Sequence, residues 1–177
     1  MWIFGYGSLI WKPNFDFQDK TPGLLRGFER RFYQGSPDHR GTPDDPGRVV
    51  TLLSAEEALT WGMAYRVEGD VAARILERLD HREKGGYQRH ELPLVDPDDP
   101  DKTLIERALV YVATPDNPHY LGYAEPRAIA RHVAASTGPS GPNRDYVLRL
   151  AESLRRHGVH DPHVFAIEAA LHEFLTS

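Results

Sequence analysis

The order of strand-like and helix-like patterns along the chain constrains its fold more than any other feature. Apolar residues alternate with period two at Trp61, Met63, Tyr65 and Val67, which is typical of a half-buried strand. The last third instead repeats its apolar residues with a helical period. Strands first and helices later, without an internal repeat, predict one α+β domain over residues 1–177, built on a curved sheet or small barrel.

The individual elements follow from the same periodicities. Strands are expected in the apolar run before Gly5 and over residues 24–34, 48–53, 60–68, 87–95 and 104–113, the last of these as a central strand. Helices are expected after Asp70, Glu125, Asn143 and Asp161, with Asp70 and Asn143 as N-caps. Loops are expected over residues 13–22 and 35–47, because both segments are rich in turn-forming residues.

Composition excludes several classes of function. The chain has 177 residues with 40% hydrophobic content, enough for one well-buried core. Its 21 basic and 26 acidic residues give a net charge of −5, and no dense basic run indicates nucleic-acid binding. It has no cysteine, no apolar run near the length of a membrane span, and no positively charged leader. We therefore expect a cytoplasmic protein that binds neither nucleic acid nor membrane.

The first eleven residues form the strongest candidate for a binding element. An apolar strand runs into Gly5, and a second glycine follows at Gly7. Glycine permits unusual backbone angles and leaves no Cβ to block a ligand, so the turn can present several N–H groups to a small anion. The pattern suits a carboxylate as well as a phosphate, and a plain hairpin turn is the structural alternative.

Two better-known glycine motifs do not fit this turn. A dinucleotide fingerprint requires a third glycine where Ile10 stands. A nucleophile elbow requires glycine two residues on either side of the serine, whereas Ser8 has Tyr6 and Ile10 there. Ser8 is therefore interpreted as a hydrogen-bond partner.

Glu83 is the acidic residue whose position suggests chemistry. It falls at the C-terminal end of the helix expected after Asp70, where the macrodipole disfavours an ionised carboxylate. If it were also partly buried, its pKa would rise and it could exchange protons near neutrality. The alternative is an exposed glutamate that pairs with Arg82 or Lys84.

Three histidines, His157, His160 and His163, lie at intervals of three residues, a density that can indicate metal. They straddle Gly158 and a predicted helix boundary, so they do not share one helical face. We interpret them as a solvated linker between helices, and no metal site is predicted.

Seven ordered blocks of this sequence resemble the ChaC family, the glutathione-specific γ-glutamylcyclotransferases. The resemblance extends over about residues 2–155, and it is carried by residues 4–11, 34–41, 46–52, 61–65, 82–87, 120–122 and 138–143. It implies a γ-glutamylcyclotransferase-like fold, a mixed β-barrel flanked by helices.

The resemblance also implies site residues. It places the catalytic glutamate at Glu83 and assigns Tyr6, Arg40 and Tyr111 to the substrate pocket, with Ser36 where some members carry aspartate. Arg40 is the candidate partner for the glycine carboxylate of glutathione. The turn that holds the γ-glutamyl group comprises Phe4, Gly5, Tyr6, Gly7, Ser8 and Leu9.

The implied reaction suits a chain without cysteine. The α-amine of a γ-glutamyl compound can attack its own γ-carbonyl, so neither an external nucleophile nor a cofactor is required. A related enzyme could use the same chemistry on γ-glutamylamines. A third hypothesis is a binding module that senses a γ-glutamyl ligand, but such a module would be expected to lack Glu83.

Overall fold

The structure is a computed structural model that describes residues 1–84 and 86–176, without the side chains of residues 79–84. The strands are β1 (Trp2–Gly5), β2 (Asp19–Ser36), β3 (Gly47–Arg66), β4 (Tyr87–Val95), β5 (Thr103–Ala113), β6 (Thr137–Gly138) and β7 (Gly141–Pro142). The helices are α1 (Gly69–Lys84), α2 (Pro126–Ala135), α3 (Asn143–Arg156) and α4 (Pro162–Thr176), with a 3-10 helix at Ser8–Ile10.

Strands β1 to β5 form a closed barrel in the order β1-β3-β2-β4-β5. Strand β1 pairs antiparallel with β3, where Trp2 faces Arg66, and parallel with β5, where Trp2 faces Ala108. The β4–β5 register shifts between Leu92 and Leu94, on either side of Pro93, which has no N–H to donate to the ladder. The predicted α+β class with a mixed barrel is confirmed.

The chain divides into two compact units. Unit 1 comprises residues 1–30 and 52–118, and unit 2 comprises residues 31–51 and 119–177. The prediction of a single domain over residues 1–177 stays a prediction.

Unit 1 has two apolar clusters. One contains Phe4, Ala108 and Val110, and the other contains Ile3, Leu109 and Tyr111 together with Ile75 of α1. Successive residues of β1 and β5 therefore enter different clusters, because neighbouring side chains on a strand point to opposite faces. Strand β5 is buried on both faces, as predicted for a central strand.

The core of unit 2 is helical. Helix α4 packs against both α2 and α3. The buried apolar positions recur at helical spacing: Ile129, Val133, Val147, Leu150, Leu154, Ile167 and Leu171. Pro126 occupies the first turn of α2, as predicted, and the Asp161 carboxylate accepts the Val164 N–H at 3.1 Å at the start of α4.

Two predicted strand boundaries were wrong. Residues 48–53 and 60–68 were expected to form separate strands, but β3 is continuous from Gly47 to Arg66. Four of the six intervening residues are exposed, yet none of the six is a glycine or proline that would break the strand. Strand β2 likewise starts at Asp19, within the segment predicted as loop.

Both predicted N-caps, Asp70 and Asn143, were also wrong. Helix α1 already includes Gly69, so Asp70 lies in its first turn. Helix α3 starts at Asn143, and its side chain caps no helical N–H. The Asn143 side chain instead accepts the Arg48 N–H at 2.7 Å and donates to the Arg48 carbonyl at 2.8 Å.

Candidate active site

The turn after β1 is a 3-10 helix in unit 1. The Ile10 N–H donates to the Gly7 carbonyl at 3.0 Å, and the Lys12 N–H donates to the Ser8 carbonyl at 2.9 Å. The N–H groups of Gly7, Ser8 and Leu9 donate to no acceptor within residues 1–84 and 86–176. The first N–H groups of a helix lack intrahelical partners, so these amides can receive an anionic group.

Close packing accounts for the glycine at position 5. A Cβ on Gly5 would lie 2.5 Å from the Leu9 Cβ. The positive-φ glycines of the described chain do not include Gly5 or Gly7, and Gly7 has φ of −129°. Gly5 is therefore required for space, and Gly7 combines its φ of −129° with a ψ of −127°.

Tyr6 and Tyr111 are brought together at one side of this turn. The Tyr6 hydroxyl donates a hydrogen bond of 2.6 Å to the Tyr111 carbonyl. Tyr111 is buried in the same apolar cluster against which Leu9 packs, whereas Phe4 and Tyr6 belong to the other cluster of unit 1. The hydrogen bond thus fixes the turn to the central strand β5.

Tyr65 supports the turn from the opposite strand, and sequence reasoning missed this role. Its hydroxyl donates to the Leu9 carbonyl at 2.6 Å, and the Phe15 ring contacts its ring edge-on at 5.7 Å. Burial raises the pKa of Tyr65 to about 12. The alternating pattern of β3 predicted burial for this residue but carried no signal for its hydroxyl contact.

Glu83 lies in the last turn of α1, as predicted, because this helix ends at Lys84. Its side chain is outside the described residues, as are those of Arg82 and Lys84, so the expectation of a raised pKa stays a prediction. The chain beyond the helix is constrained at Gly86, which has φ of +84°. A Cβ there would lie 2.8 Å from the Asn117 side-chain amide.

Ser36 and Arg40 are brought together in unit 2. The Ser36 hydroxyl accepts the Arg40 N–H at 3.0 Å, and the Arg40 guanidinium donates to the Pro142 carbonyl at 3.1 Å. Partial burial lowers the pKa of Arg40, while the nearby Asp145 carboxylate opposes that shift. The Nε and Nη2 groups of Arg40 donate to no acceptor among the described residues, so the fixed guanidinium retains free donors.

Arg48 is a second residue whose role sequence reasoning missed. Its guanidinium is buried and donates to the carbonyls of Phe32 and Gly122 and to the Nδ1 atom of His132. Burial also lowers the pKa of Arg48. These bonds, with the Asn143 side chain on its backbone, join the start of β3 to the helical part of unit 2.

The three spaced histidines have separate environments. His157 contacts the Ser153 carbonyl at 2.8 Å, and the His160 ring lies 5.7 Å from that of Phe165. His163 lies on α4, where its Nε2 accepts the Phe32 N–H at 3.0 Å, so the linker interpretation was wrong for this residue. Among the described residues no group of three histidine, aspartate or glutamate side chains could hold a metal ion.

No described helix is both long enough and apolar enough to cross a membrane.

Comparison with known proteins identifies the family of this chain. The family model described as ChaC-like protein matches residues 1–174.

Two relatives share almost half of their aligned residues with this chain. The glutathione-specific gamma-glutamylcyclotransferase 1 of Homo sapiens is 47% identical over 175 residues, which are 97% of this chain and 78% of the relative. The protein of the same name from Danio rerio is 46% identical, over 97% of this chain and 88% of the relative. A solved structure of a γ-glutamyl cyclotransferase specific to glutathione from yeast superimposes with a TM-score of 0.87 at 27% identity, covering 98% of this chain and 96% of that chain.

Proposed function

The chain belongs to the ChaC-like family, and we propose that it is a glutathione-specific γ-glutamylcyclotransferase. The observation that carries this proposal is the 47% identity to the human enzyme over 97% of the chain. The similarity of fold to the yeast enzyme adds to it. The protein is then an enzyme, a carbon–nitrogen lyase of glutathione breakdown.

The reaction closes a five-membered ring within the substrate. The α-amine nitrogen of the γ-glutamyl residue attacks its γ-carbonyl carbon, and the bond from that carbon to the cysteine nitrogen breaks. The attacking nitrogen reacts as the neutral amine and gives up one proton as the ring closes, and one proton is delivered to the departing nitrogen. The products are 5-oxoproline and Cys-Gly, and neither water nor a redox partner is consumed.

Glu83 is proposed to carry both protons, first as base and then as acid. Two features support this assignment: the match of residues 82–87 to the family motif, and the position of Glu83 at the C-terminal end of α1. The negative end of the helix dipole favours the protonated form of a carboxyl group there. A glutamate that gains and loses a proton at similar cost suits a two-step transfer.

The turn after β1 is proposed to bind the γ-glutamyl group. Its support is the set of amides at Gly7, Ser8 and Leu9, which have no acceptor among the described residues. Such amides can hold the α-carboxylate or stabilise the oxyanion that develops on the γ-carbonyl. Tyr6 and Tyr111 are proposed to line the same site, where their hydrogen bond keeps the turn in place.

Arg40 and Ser36 form a separate proposal, because they belong to unit 2. Arg40 is proposed to bind the glycine carboxylate of glutathione, for which a guanidinium fork is well suited. Two observations support this proposal. The hydrogen bond to the Pro142 carbonyl holds the guanidinium in place, and the Nε and Nη2 groups remain free to donate to a ligand. Ser36 is proposed to position Arg40, because the Ser36 hydroxyl accepts a hydrogen bond from the Arg40 backbone N–H.

Two further proposals concern the whole protein. We propose a cytoplasmic location and one catalytic domain over residues 1–177.

A comparison of substrates tests the proposed activity. Incubation with glutathione should give 5-oxoproline and Cys-Gly in equal amounts, whereas γ-glutamyl-alanine and γ-glutamyl-ε-lysine should react far more slowly. Arg40→Ala should raise KM for glutathione alone. The difference in rate between glutathione and the two other substrates should therefore become smaller. Fast turnover of γ-glutamyl-ε-lysine with inert glutathione would instead identify a γ-glutamylamine cyclotransferase. Binding of γ-glutamyl compounds without any turnover would identify a sensing module.

A further inference from the structure

A cavity of about 490 Å³ opens between the loop at residues 13–16 and α1, entirely within unit 1. Its volume falls within the range of small-molecule sites, about 300–1,000 Å³. It is lined by Pro13, Asn14, Phe15, Asp16, Val71, Arg74, Ile75 and Arg78. None of these residues is among those proposed to bind or cleave glutathione.

The cavity has an apolar wall and a charged side. Phe15, Val71 and Ile75 belong to the apolar cluster of unit 1 that contains Ile3 and Leu109. Arg74 and Arg78 are one helical turn apart on α1, where like charges repel each other. A ligand that fits this lining therefore needs an apolar part beside a negatively charged group.

The charged groups have unused hydrogen-bonding capacity. Arg78 donates to the Asn14 carbonyl at 3.3 Å, which holds the loop against the helix. The side chains of Arg74 and Asp16 have no ion-pair or hydrogen-bond partner within the described residues. One cation and one anion are thus available in the same cavity.

We infer that this cavity binds an α-amino acid with an apolar side chain, in its zwitterionic form. Arg74 binds the carboxylate, as guanidinium groups do in charge-assisted pairs, and Asp16 binds the ammonium group. The side chain of the ligand packs on Phe15, Val71 and Ile75. A simple anion would leave Asp16 opposed to it, whereas a zwitterion satisfies both charges.

One residue of the cavity wall, Phe15, also contacts the residue that supports the turn after β1. The Phe15 ring packs against Tyr65, whose hydroxyl holds the Leu9 carbonyl. An occupied cavity restrains Phe15 and therefore the turn that follows β1. The binding site itself does not depend on the proposed reaction, so it can be tested without an activity measurement.

Isothermal titration of the full chain with three related ligands tests the inference. L-Phenylalanine carries both charges, 3-phenylpropionate lacks the ammonium group, and L-phenylalaninamide lacks the carboxylate. L-Phenylalanine should bind more tightly than the other two. Arg74→Gln should weaken binding of L-phenylalanine and 3-phenylpropionate by about tenfold and leave that of the amide unchanged, since one charge-assisted bond is lost.

Asp16→Asn should show the opposite selectivity, with weaker binding of L-phenylalanine and its amide only. Both residues are exposed, so neither substitution removes a buried contact. Arg156→Gln, which makes the same charge change on α3, is the matched control and should bind as the wild type does. The inference is overturned if none of the three ligands binds, if L-phenylalanine has no advantage, or if each variant weakens all three ligands equally.

Discussion

Glu83 is the single side chain to which both proton transfers of the proposed reaction are assigned. Glu83→Gln keeps the size and shape of the side chain but removes its ability to carry a proton. We expect turnover to fall by at least ~10²-fold with little change in the affinity for glutathione. Steady-state kinetics and a binding titration measure the two effects separately.

Glu77→Gln is the matched control, because Glu77 is an exposed glutamate on the same helix. It should react as fast as the wild type. Turnover near the wild-type rate in Glu83→Gln would remove Glu83 from the mechanism.

Tyr65 should make the free energy of unfolding fall as the pH rises through the alkaline range. Its pKa is about 12 in the folded protein, whereas the ordinary value is 10.0. Between these values the unfolded chain loses the proton first, so the contribution of Tyr65 is complete below pH 10 and declines toward pH 12. Each unit of difference corresponds to about 1.4 kcal/mol, so the loss approaches ~3 kcal/mol.

Urea unfolding of the wild type and Tyr65→Phe at several pH values from 9 to 12 measures this effect. The difference in free energy of unfolding between the two proteins should shrink as the pH rises. A constant difference across this range would show that ionisation of Tyr65 is not linked to folding.

The conformation of the turn after β1 requires that no side chain be present at Gly5. Gly5→Ala would place a methyl group 2.5 Å from the Leu9 Cβ, which is held close to the backbone and cannot move aside cheaply. We expect a destabilisation of about 1–3 kcal/mol and a raised KM for glutathione, because the proposed binding amides shift with Leu9. Thermal unfolding and steady-state kinetics measure the two effects.

Gly23→Ala is the matched control for this substitution. Its added Cβ would meet the nearest atoms of Leu94 at 3.4 Å, an ordinary contact distance. An unchanged KM in Gly5→Ala would show that the turn has no part in substrate binding.

The start of β3 depends in the same way on Asn143 of α3. Asn143→Ala leaves the N–H and the carbonyl of Arg48 without their side-chain partners in a buried position. Two unsatisfied buried backbone groups cost about 2–6 kcal/mol together, at about 1–3 kcal/mol each. The measurement is the free energy of unfolding in urea, with the exposed Ser140→Ala as control, and a loss below 1 kcal/mol would contradict the expectation.

The whole reaction is expected to proceed without a metal ion. Both proton transfers are assigned to a carboxylate, and the attacking group is the amine of the substrate itself. Exhaustive treatment with EDTA should therefore leave kcat/KM for glutathione unchanged. Activity that is lost with EDTA and restored by zinc would reverse this prediction.

Across the whole molecule, the sequence predicted those strands and helices whose bounds follow from the periodicity of neighbouring residues. Strands β4 and β5 and the end of α1 were found within one residue of their expected bounds. Features set by distant contacts were not predictable in this way. Asn143 was expected to cap its own helix, but its amide binds a residue 95 positions away.

The candidate site shows the same division. The turn at residues 5–11 was recognisable from its glycines, and the position of Glu83 followed from the helical period. The family resemblance implied that Tyr6 and Tyr111 line one pocket, but it did not predict their hydrogen bond, and no local pattern relates residues 105 positions apart. The support from Tyr65 could not be predicted, since its hydroxyl contacts a carbonyl 56 positions away.

The parallel pairing of β1 with β5 also sets the order of events during biosynthesis. Strand β1 cannot find this neighbour until about a hundred further residues have been translated, which takes about 5–20 s at ordinary elongation rates. Contacts of such long sequence separation slow folding, because the intervening chain must first be brought together. The turn proposed to bind glutathione is thus synthesised well before β5, and the barrel that holds it can close only after β5 has been made.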